Sequence, residues 1–321
     1  MRGNCNNYQL KLMGKISSPL RYPGGKSSLF PFIKEVIEVN NLKGCNYIEP
    51  FAGGAGAALD LLLAEDVKKL VLNDKDELIA AFWNAVLFKT NDFLRLLRTT
   101  EVSLSEYYRQ REKLADGRSR KSQLQLGFAA FYVNRCNRSG ILKNGTGPIG
   151  GKAQKSRWNV DARFNKDHLA ERICKISGYR DQIEIYNEDA IDFLEKTLSR
   201  EDIRPSKTFI YLDPPYYHQG KSLYRHYYTD KDHKALANYL RTKRKHYWMV
   251  SYDDCEFIED LYKSEGCKPI HLHYTANNYK IGRELIIPSE RCAIPPKLTA
   301  TRKMKGFAHQ FEPLGLEALA A

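Results

Sequence analysis

Seven short runs rich in β-branched and aromatic residues alternate with segments of helical periodicity, and no other feature constrains the fold of this chain as strongly. The runs fall at residues 46–49, 69–73, 182–186, 208–212, 247–252, 269–274 and 283–287, and helical patterns lie between them at 55–64, 77–88, 190–198, 231–242 and 254–262. Such a rhythm predicts an α/β fold in which a mainly parallel seven-stranded sheet carries helices on both faces. A chain of 321 residues can bury the core of one large domain of this kind. The rhythm breaks once, where roughly a hundred residues separate the second strand from the third, far more than a crossover helix needs. Helical spacing recurs in the first part of that interval, at Leu104, Tyr107, Tyr108 and Arg111 and again over 124–133. The second part has a stretch, residues 144–151, that holds four glycines and a proline and reads as a loop or hairpin. Residues 96–178 are therefore expected to form a mainly helical inserted subdomain. The remaining domain is discontinuous, at residues 18–95 and 179–300, with residues 1–17 and 303–321 as flexible tails.

Charge says something about the insertion. The net charge is +13, and residues 106–166 carry fourteen Lys and Arg against four Asp and Glu, so that window supplies +10 of it. Charge concentrated in this way suits a phosphate backbone, and nucleic acid is the commonest polyanionic partner of a basic protein. The seven cysteines are odd in number and scattered without a CxxC pair, which fits reduced thiols in a cytoplasmic protein with no bound metal. No stretch approaches the roughly 20 apolar residues that would span a bilayer, and residues 1–15 lack the apolar centre of a signal peptide. No membrane partner is expected.

Two motifs carry chemistry. Asp213, Pro214, Pro215 and Tyr216 follow the apolar run 208–212, at a strand's carboxyl end, where open α/β sheets bind ligands. The prolines stiffen the turn and leave the Pro214 carbonyl and the Asp213 carboxylate able to accept from one amino group. Tyr216 offers a face for stacking a base. Taken alone, the same four residues could be a tight turn after a core strand. Glu49, Pro50, Phe51, Ala52, Gly53, Gly54, Ala55 and Gly56 lie between the first strand and a helix, where glycines allow close backbone approach to a ligand. A glycine turn could equally serve a nicotinamide or flavin cofactor or simply pack the helix. Asp74 ends the second strand 21 residues after Gly53, where an acidic group can hold ribose hydroxyls or cap the following helix.

In this order, glycine turn, basic insertion and Asp-Pro-Pro-Tyr, the chain resembles the D12-class (Dam-like) DNA adenine N6-methyltransferases over about residues 18–290. The resemblance implies a Rossmann-like methyltransferase sheet with a target-recognition insertion, S-adenosylmethionine as cofactor, and double-stranded DNA as partner. It also implies that adenine is flipped out of the duplex and takes the methyl group on N6 without a covalent enzyme intermediate. Leu20, Arg21, Tyr22, Pro23, Gly24, Gly25 and Lys26 are similar to the family's amino-terminal cofactor motif, which assigns Tyr22, Gly24 and Lys26 to the cofactor alongside Glu49, Phe51, Gly53, Gly54, Asp74 and Asp213. A phosphate-loop reading of this segment fails, because it would need glycine at Leu20. Asp189 matches the family residue that bonds the cofactor adenine, and Ser251, Tyr252 and Asp253 are expected after the fifth strand. Residues 134–140 are similar to the target-recognition entry segment, which puts Arg135, Asn137 and Arg138 on DNA; Arg109, Arg111, Arg118, Arg120 and Lys121 are expected on phosphates. One departure is Ala55, which stands where the family often has glycine.

Other readings are weaker. An RNA methyltransferase would need an RNA-binding module, which is not seen, and a non-catalytic DNA-binding protein would have no use for a complete cofactor site. An oxidoreductase gives no reason for Asp-Pro-Pro-Tyr. His271 and His273 alternate on a strand without a third ligand nearby in sequence, and Tyr224, Tyr227, Tyr228, Trp158 and Phe164 could line the DNA channel, although aromatic residues in loops more often pack. A cognate restriction endonuclease would be a functional rather than a physical companion, in a restriction-modification, phage or mobile-element setting.

Overall fold

A computed structural model describes residues 18–21, 29–115, 122–274 and 280–296. The elements run α1 (Phe30–Val39), β1 (Cys45–Glu49), α2 (Gly56–Leu63), β2 (Val67–Asn73), α3 (Glu77–Phe88), α4 (Thr90–Thr99), α5 (Leu104–Ala115), α6 (Gln123–Cys136), α7 (Lys166–Ser177), β3 (Ile183–Tyr186), α8 (Ala190–Leu198), β4 (Thr208–Leu212), α9 (Gly220–Leu223), α10 (Asp230–Arg241), β5 (Tyr247–Asp253), α11 (Glu256–Leu261), β6 (Lys268–Tyr274) and β7 (Lys280–Pro288). All seven strands join one sheet in the order β3-β2-β1-β4-β5-β7-β6. The first five run parallel, and β7 lies antiparallel between β5 and β6. Strands β1 and β4 occupy the middle and are buried at every residue, as strands covered on both faces should be, although β1 buries Asn46 and Glu49 among its apolar residues. Chain order reverses between them, because β1 leads outward to β2 and β3 while β4 leads to β5 on the other side. The crevice beyond the carboxyl ends of β1 and β4 is thus the topological switch point, where this architecture binds ligands.

The basic interval does not stand apart. Its helices share one continuous core with the sheet: Phe128, Phe131 and Tyr132 of α6 and Ile173 of α7 pack into the same cluster as Phe82 and Trp83 of α3. Nine of the twelve α3 residues are buried, so this helix is covered by the sheet on one side and by α6 on the other. The helices approach so closely that a β-carbon on Gly127 would sit 2.4 Å from the Ala81 carbonyl oxygen. Helices α5, α6 and α7 thus pack into the same core as the main helical layer, and the expected boundary at 96 falls inside α4. Helices α1, α4 and α7 were not anticipated, while the loop expected at 144–151 is present. Ser251, Tyr252 and Asp253 form the last three residues of β5 rather than following it. Among the described residues, no helix is long and apolar enough to cross a membrane, and the six cysteines are free.

Candidate active site

At the switch point, the loop after β1 and the turn after β4 form two walls of a cleft, the kind of concave place where ligands bind. Glu49, Phe51 and Gly54 face it from the first wall, Asp74 from the end of β2, and Asp213 and Pro215 from the second. Gly53 is held at both backbone groups: its N–H donates to Asp74 Oδ2 at 2.8 Å, and its carbonyl accepts from the Trp83 indole at 2.9 Å. Its φ of 47° is left-handed, which glycine tolerates. Ala55 adopts the same φ of 47°, so the residue that departs from the family pattern keeps a backbone conformation that glycine would hold with less strain. Asn73, which no sequence signal marked, ties the neighbouring turns together; its side chain donates to the Pro50 and Glu188 carbonyls at 3.0 and 3.1 Å.

Asp74 is not the helix cap. That role belongs to Asp76, whose carboxylate accepts from the Leu78 N–H at 3.0 Å, while Asp74 accepts from the Gly53 and Asp76 amides. Burial, reinforced by the Asp76 carboxylate, pushes the Asp74 pKa up to about 7. Glu49 is 4% exposed, and its Oε2 has no hydrogen-bond partner among the described residues. Burial, with Asp213 and Asp74 nearby, raises its pKa well above the usual carboxylate range. The cations in the cleft wall are already paired, Lys75 with Asp189 at 3.0 Å and Arg225 with Asp76 and Glu77 at 2.7 and 3.1 Å. A cleft with crowded carboxylates and an unsatisfied buried oxygen suits a ligand that brings positive charge and hydrogen-bond donors.

The second wall is braced from β5 and β7. Ser251 Oγ donates to Asp213 Oδ1 at 3.0 Å and lies 2.8 Å from the Tyr211 hydroxyl, which fixes the carboxylate at the head of the turn. Asp253 accepts from the Tyr217 and His218 amides, at 2.8 and 3.0 Å, and so holds the chain as it leaves the turn. The Tyr216 hydroxyl donates to the buried carboxylate of Glu284 at 2.7 Å, and its ring meets Tyr224 edge-on. Pro214 is buried beneath the turn. Tyr224, Arg225, His226 and Tyr228 close the cleft, with Tyr228 edge-on to Phe51 at 5.7 Å. Tyr224 and Tyr228 therefore line the site instead of merely packing. Arg225 and Glu284 were missed, since each acts through a partner more than sixty residues away in sequence.

Asp189 caps α8, accepting from Ile191 N–H at 3.0 Å, and its carboxylate faces a second hollow that shares Lys75, Arg225 and Tyr228 with the cleft. Tyr22, Gly24, Lys26, Arg118, Arg120 and Lys121 lie outside the described residues. The expected DNA residues divide sharply. Arg135 turns inward: its Nε donates to the Arg163 carbonyl at 2.7 Å, and burial beside Arg21 lowers its pKa to about 9. Asn137 is 2% exposed, accepts from the Tyr107 hydroxyl at 2.7 Å and donates to the Ile141 carbonyl. Against the expectation of base contacts, Asn137 is buried with its polar atoms on protein partners, and the half-buried Arg135 guanidinium is bonded to the Arg163 carbonyl. Arg111 is tied to the Thr146 carbonyl at 3.1 Å and Arg109 to Glu106 at 2.7 Å, whereas Arg138 is exposed. Within the same segment, Asn134 brackets the Arg21 backbone, accepting from its N–H at 2.8 Å and donating to its carbonyl at 2.7 Å.

A family model of D12 class N6 adenine-specific DNA methyltransferases matches residues 22–280. The chain is 23% identical over 278 residues to a Methanocaldococcus jannaschii protein named type II methyltransferase M.MjaIII, covering 78% of this chain and 89% of the relative. A solved structure of a Listeria monocytogenes protein described as a class I S-adenosylmethionine-dependent methyltransferase is matched over 91% of this chain and 67% of that one, at 11% identity and a TM-score of 0.37.

Proposed function

Since this chain belongs to the D12 class of N6 adenine-specific DNA methyltransferases, we propose that Asp213, the Pro214 carbonyl and Tyr216 hold a flipped-out adenine where the switch-point cleft opens. Glu49, Phe51, Asp74 and Asp189 hold S-adenosylmethionine within and beside it. The enzyme methylates adenine in DNA at specific sites, with S-adenosylmethionine as methyl donor. When bound, that cofactor supplies an electrophilic methyl group on a positively charged sulfur. The observation that carries the assignment of residues is the convergence of Asp213 with Glu49 and Asp74 on one cleft, at the ends of adjacent strands that lead in opposite directions.

Extruding the base costs a few kcal/mol, which stacking on Tyr216 and phosphate contacts offset. The adenine amino group has two hydrogens; the Asp213 carboxylate and the Pro214 carbonyl accept them and orient the nitrogen lone pair toward the cleft. Ser251 keeps Asp213 in place through its 3.0 Å hydrogen bond. Glu49 and Asp74 contribute negative charge that favours a cationic ligand. Alignment and charge complementarity, rather than covalent chemistry by the protein, then account for the rate.

The raised pKa of Asp74 sets a pH dependence. The folded chain keeps a proton that the unfolded chain gives up near the ordinary value of 3.8, so the empty protein loses stability as pH rises from there through about 7. A cation bound beside Asp74 favours its ionised form, so S-adenosylmethionine should bind more tightly, with proton release, as pH rises from about 6 to about 7.5. Calorimetric titrations check this, and Asp74→Asn should flatten the dependence. An unchanged profile in that variant would remove Asp74 from the cofactor site.

DNA binding separates the two arginines. Arg138→Ala is expected to weaken affinity and lower the slope of its salt dependence by about 1. Arg135→Ala should instead cost about 2 kcal/mol of stability through lost charged hydrogen bonds and leave the slope alone. If Arg135→Ala lowered the slope as much as Arg138→Ala, Arg135 would belong to the DNA interface after all.

The activity itself is tested by mass spectrometry for N6-methyladenine in DNA from a methylation-deficient bacterial host expressing the protein. Its absence from DNA that contains folded, cofactor-binding enzyme would count against this function. Long-read sequencing of the methylated DNA gives the target site, and protection of that site from cleavage would place the enzyme beside a cognate endonuclease.

A further inference from the structure

Residues 117–160 contain nine Lys and Arg and no Asp or Glu. Most of the later cations in this run sit on the irregular segment between α6 and α7, where Lys152, Lys155 and Arg157 are exposed. Next to them, Trp158 is 58% exposed, while the other tryptophans, Trp83 and Trp248, are 1% and 3% exposed. The Arg157 guanidinium lies 5.2 Å from the Trp158 ring centroid.

This tip is built rather than loose. Gln154 stitches its base by donating to the Ile149 carbonyl at 2.8 Å and the Gly151 carbonyl at 2.5 Å, and its Oε1 accepts from Val160 N–H at 2.8 Å. Beyond it, Val160 and Phe164 are anchored in the core, and the Ser156 hydroxyl donates to the Trp158 carbonyl. The excursion from 155 to 159 is therefore closed at its neck, and it holds a large aromatic side chain in water. Earlier in the same irregular segment, Lys143 donates to the Lys221 carbonyl just after the Asp213–Tyr216 turn, and the neighbouring Gly220 packs on Pro215, a β-carbon there lying 3.4 Å from the Pro215 side chain.

We infer that residues 152–158 are a DNA-contacting tip, in which Lys152, Lys155 and Arg157 bind phosphates and Trp158 stacks on exposed base faces beside the flipped adenine. The inference rests on the DNA methyltransferase reading above and adds the element that stabilises the opened duplex. Extrusion of a base leaves neighbouring bases unstacked, and an aromatic ring presented next to cations both covers such a face and gains phosphate attraction. A rigid tip loses little conformational freedom when it binds.

Because Trp158 is the one tryptophan that solvent reaches, emission excited at the red edge of indole absorption follows it selectively. Titration of wild-type enzyme with a short duplex containing the site found by long-read sequencing should quench that emission, and Trp158→Phe should lose the response while keeping near-normal DNA affinity. Trp158→Ala should weaken DNA binding by about tenfold, the effect of losing one stacked base, with S-adenosylmethionine affinity unchanged. Lys155→Ala combined with Arg157→Ala should lower the salt slope by about 2. An enzyme that methylates DNA yet shows no quenching, or a Trp158→Ala variant with wild-type DNA affinity, overturns the inference and leaves the methyltransferase reading intact. Failure of the wild type to methylate or bind DNA would instead overturn both.

Discussion

Asp213→Ala should lower the methylation rate by about a thousandfold while leaving S-adenosylmethionine affinity within a few-fold of wild type. The asymmetry comes from the place of Asp213 in the cleft. Its Oδ1 is fixed by Ser251, itself beside Tyr211, so the carboxylate is a rigid acceptor at the head of the turn. Removing it leaves one acceptor, the Pro214 carbonyl, for an amino group with two hydrogens, and the nitrogen is no longer held in line with the methyl donor. Cofactor binding loses one attractive charge, but Asp213 also raises the pKa of Glu49. Its removal therefore helps Glu49 ionise, and the two effects partly offset. Single-turnover methylation beside calorimetric cofactor titration makes the comparison. Ser251→Ala, which frees the carboxylate without removing it, should fall between wild type and Asp213→Ala in rate. Near-normal turnover in Asp213→Ala would overturn the assignment of the catalytic group.

Gly127→Ala should destabilise the folded protein by about 3 kcal/mol, although alanine is the better helix former by about 1 kcal/mol. The added methyl group would stand 2.4 Å from the Ala81 carbonyl oxygen, 2.8 Å from its carbon and 2.9 Å from the Phe82 α-carbon, all backbone atoms of α3. Neither helix can move aside cheaply, because α3 is pressed against the sheet and ten of the fourteen α6 residues are buried. Denaturant unfolding of the two proteins, with the slope of the transition compared, gives the difference. The same substitution should weaken S-adenosylmethionine binding, since Trp83 of α3 holds the Gly53 carbonyl and Asp76 caps the start of that helix. Wild-type stability in Gly127→Ala would mean that the α3–α6 contact is looser than the structure has it.

Both results depend on how the insertion is joined to the sheet, and that is where sequence reasoning reached its limit. The seven strands were legible because each is a short β-branched or aromatic run bounded by breakers, whereas their order in the sheet came only from the structure. Asp213, Glu49 and Asp74 were legible for a related reason: strand ends in this architecture converge on one crevice, so three motifs far apart in sequence must meet. Helix α4 escaped because it begins two residues after α3 ends, with only Lys89 between them and neither glycine nor proline to mark the break. The run 134–140 matched a target-recognition segment by residue type, yet it mixes roles. Asn134 clasps Arg21, 113 residues away, Arg135 is committed to Arg163, Asn137 to Tyr107, and Arg138 alone of the expected trio is exposed. Sequence could not choose between channel lining and packing for Trp158 and Phe164, and the structure separates them, one exposed on a basic tip and the other 7% exposed in the core.

By itself, the sequence determined the strands, the turn at Asp213–Tyr216, the glycine loop and the family they point to, because these depend on local backbone preferences and on a fixed relation between strand ends and ligand sites. Tertiary structure alone decided which polar side chains remain available. Arg135 and Arg138 carry the same charge three residues apart, but a half-buried guanidinium bonded to a carbonyl has already exchanged water for a protein partner, while an exposed one still has that exchange to make with a phosphate. The partners that settle this are brought together by packing across long sequence separations, and no local pattern encodes them.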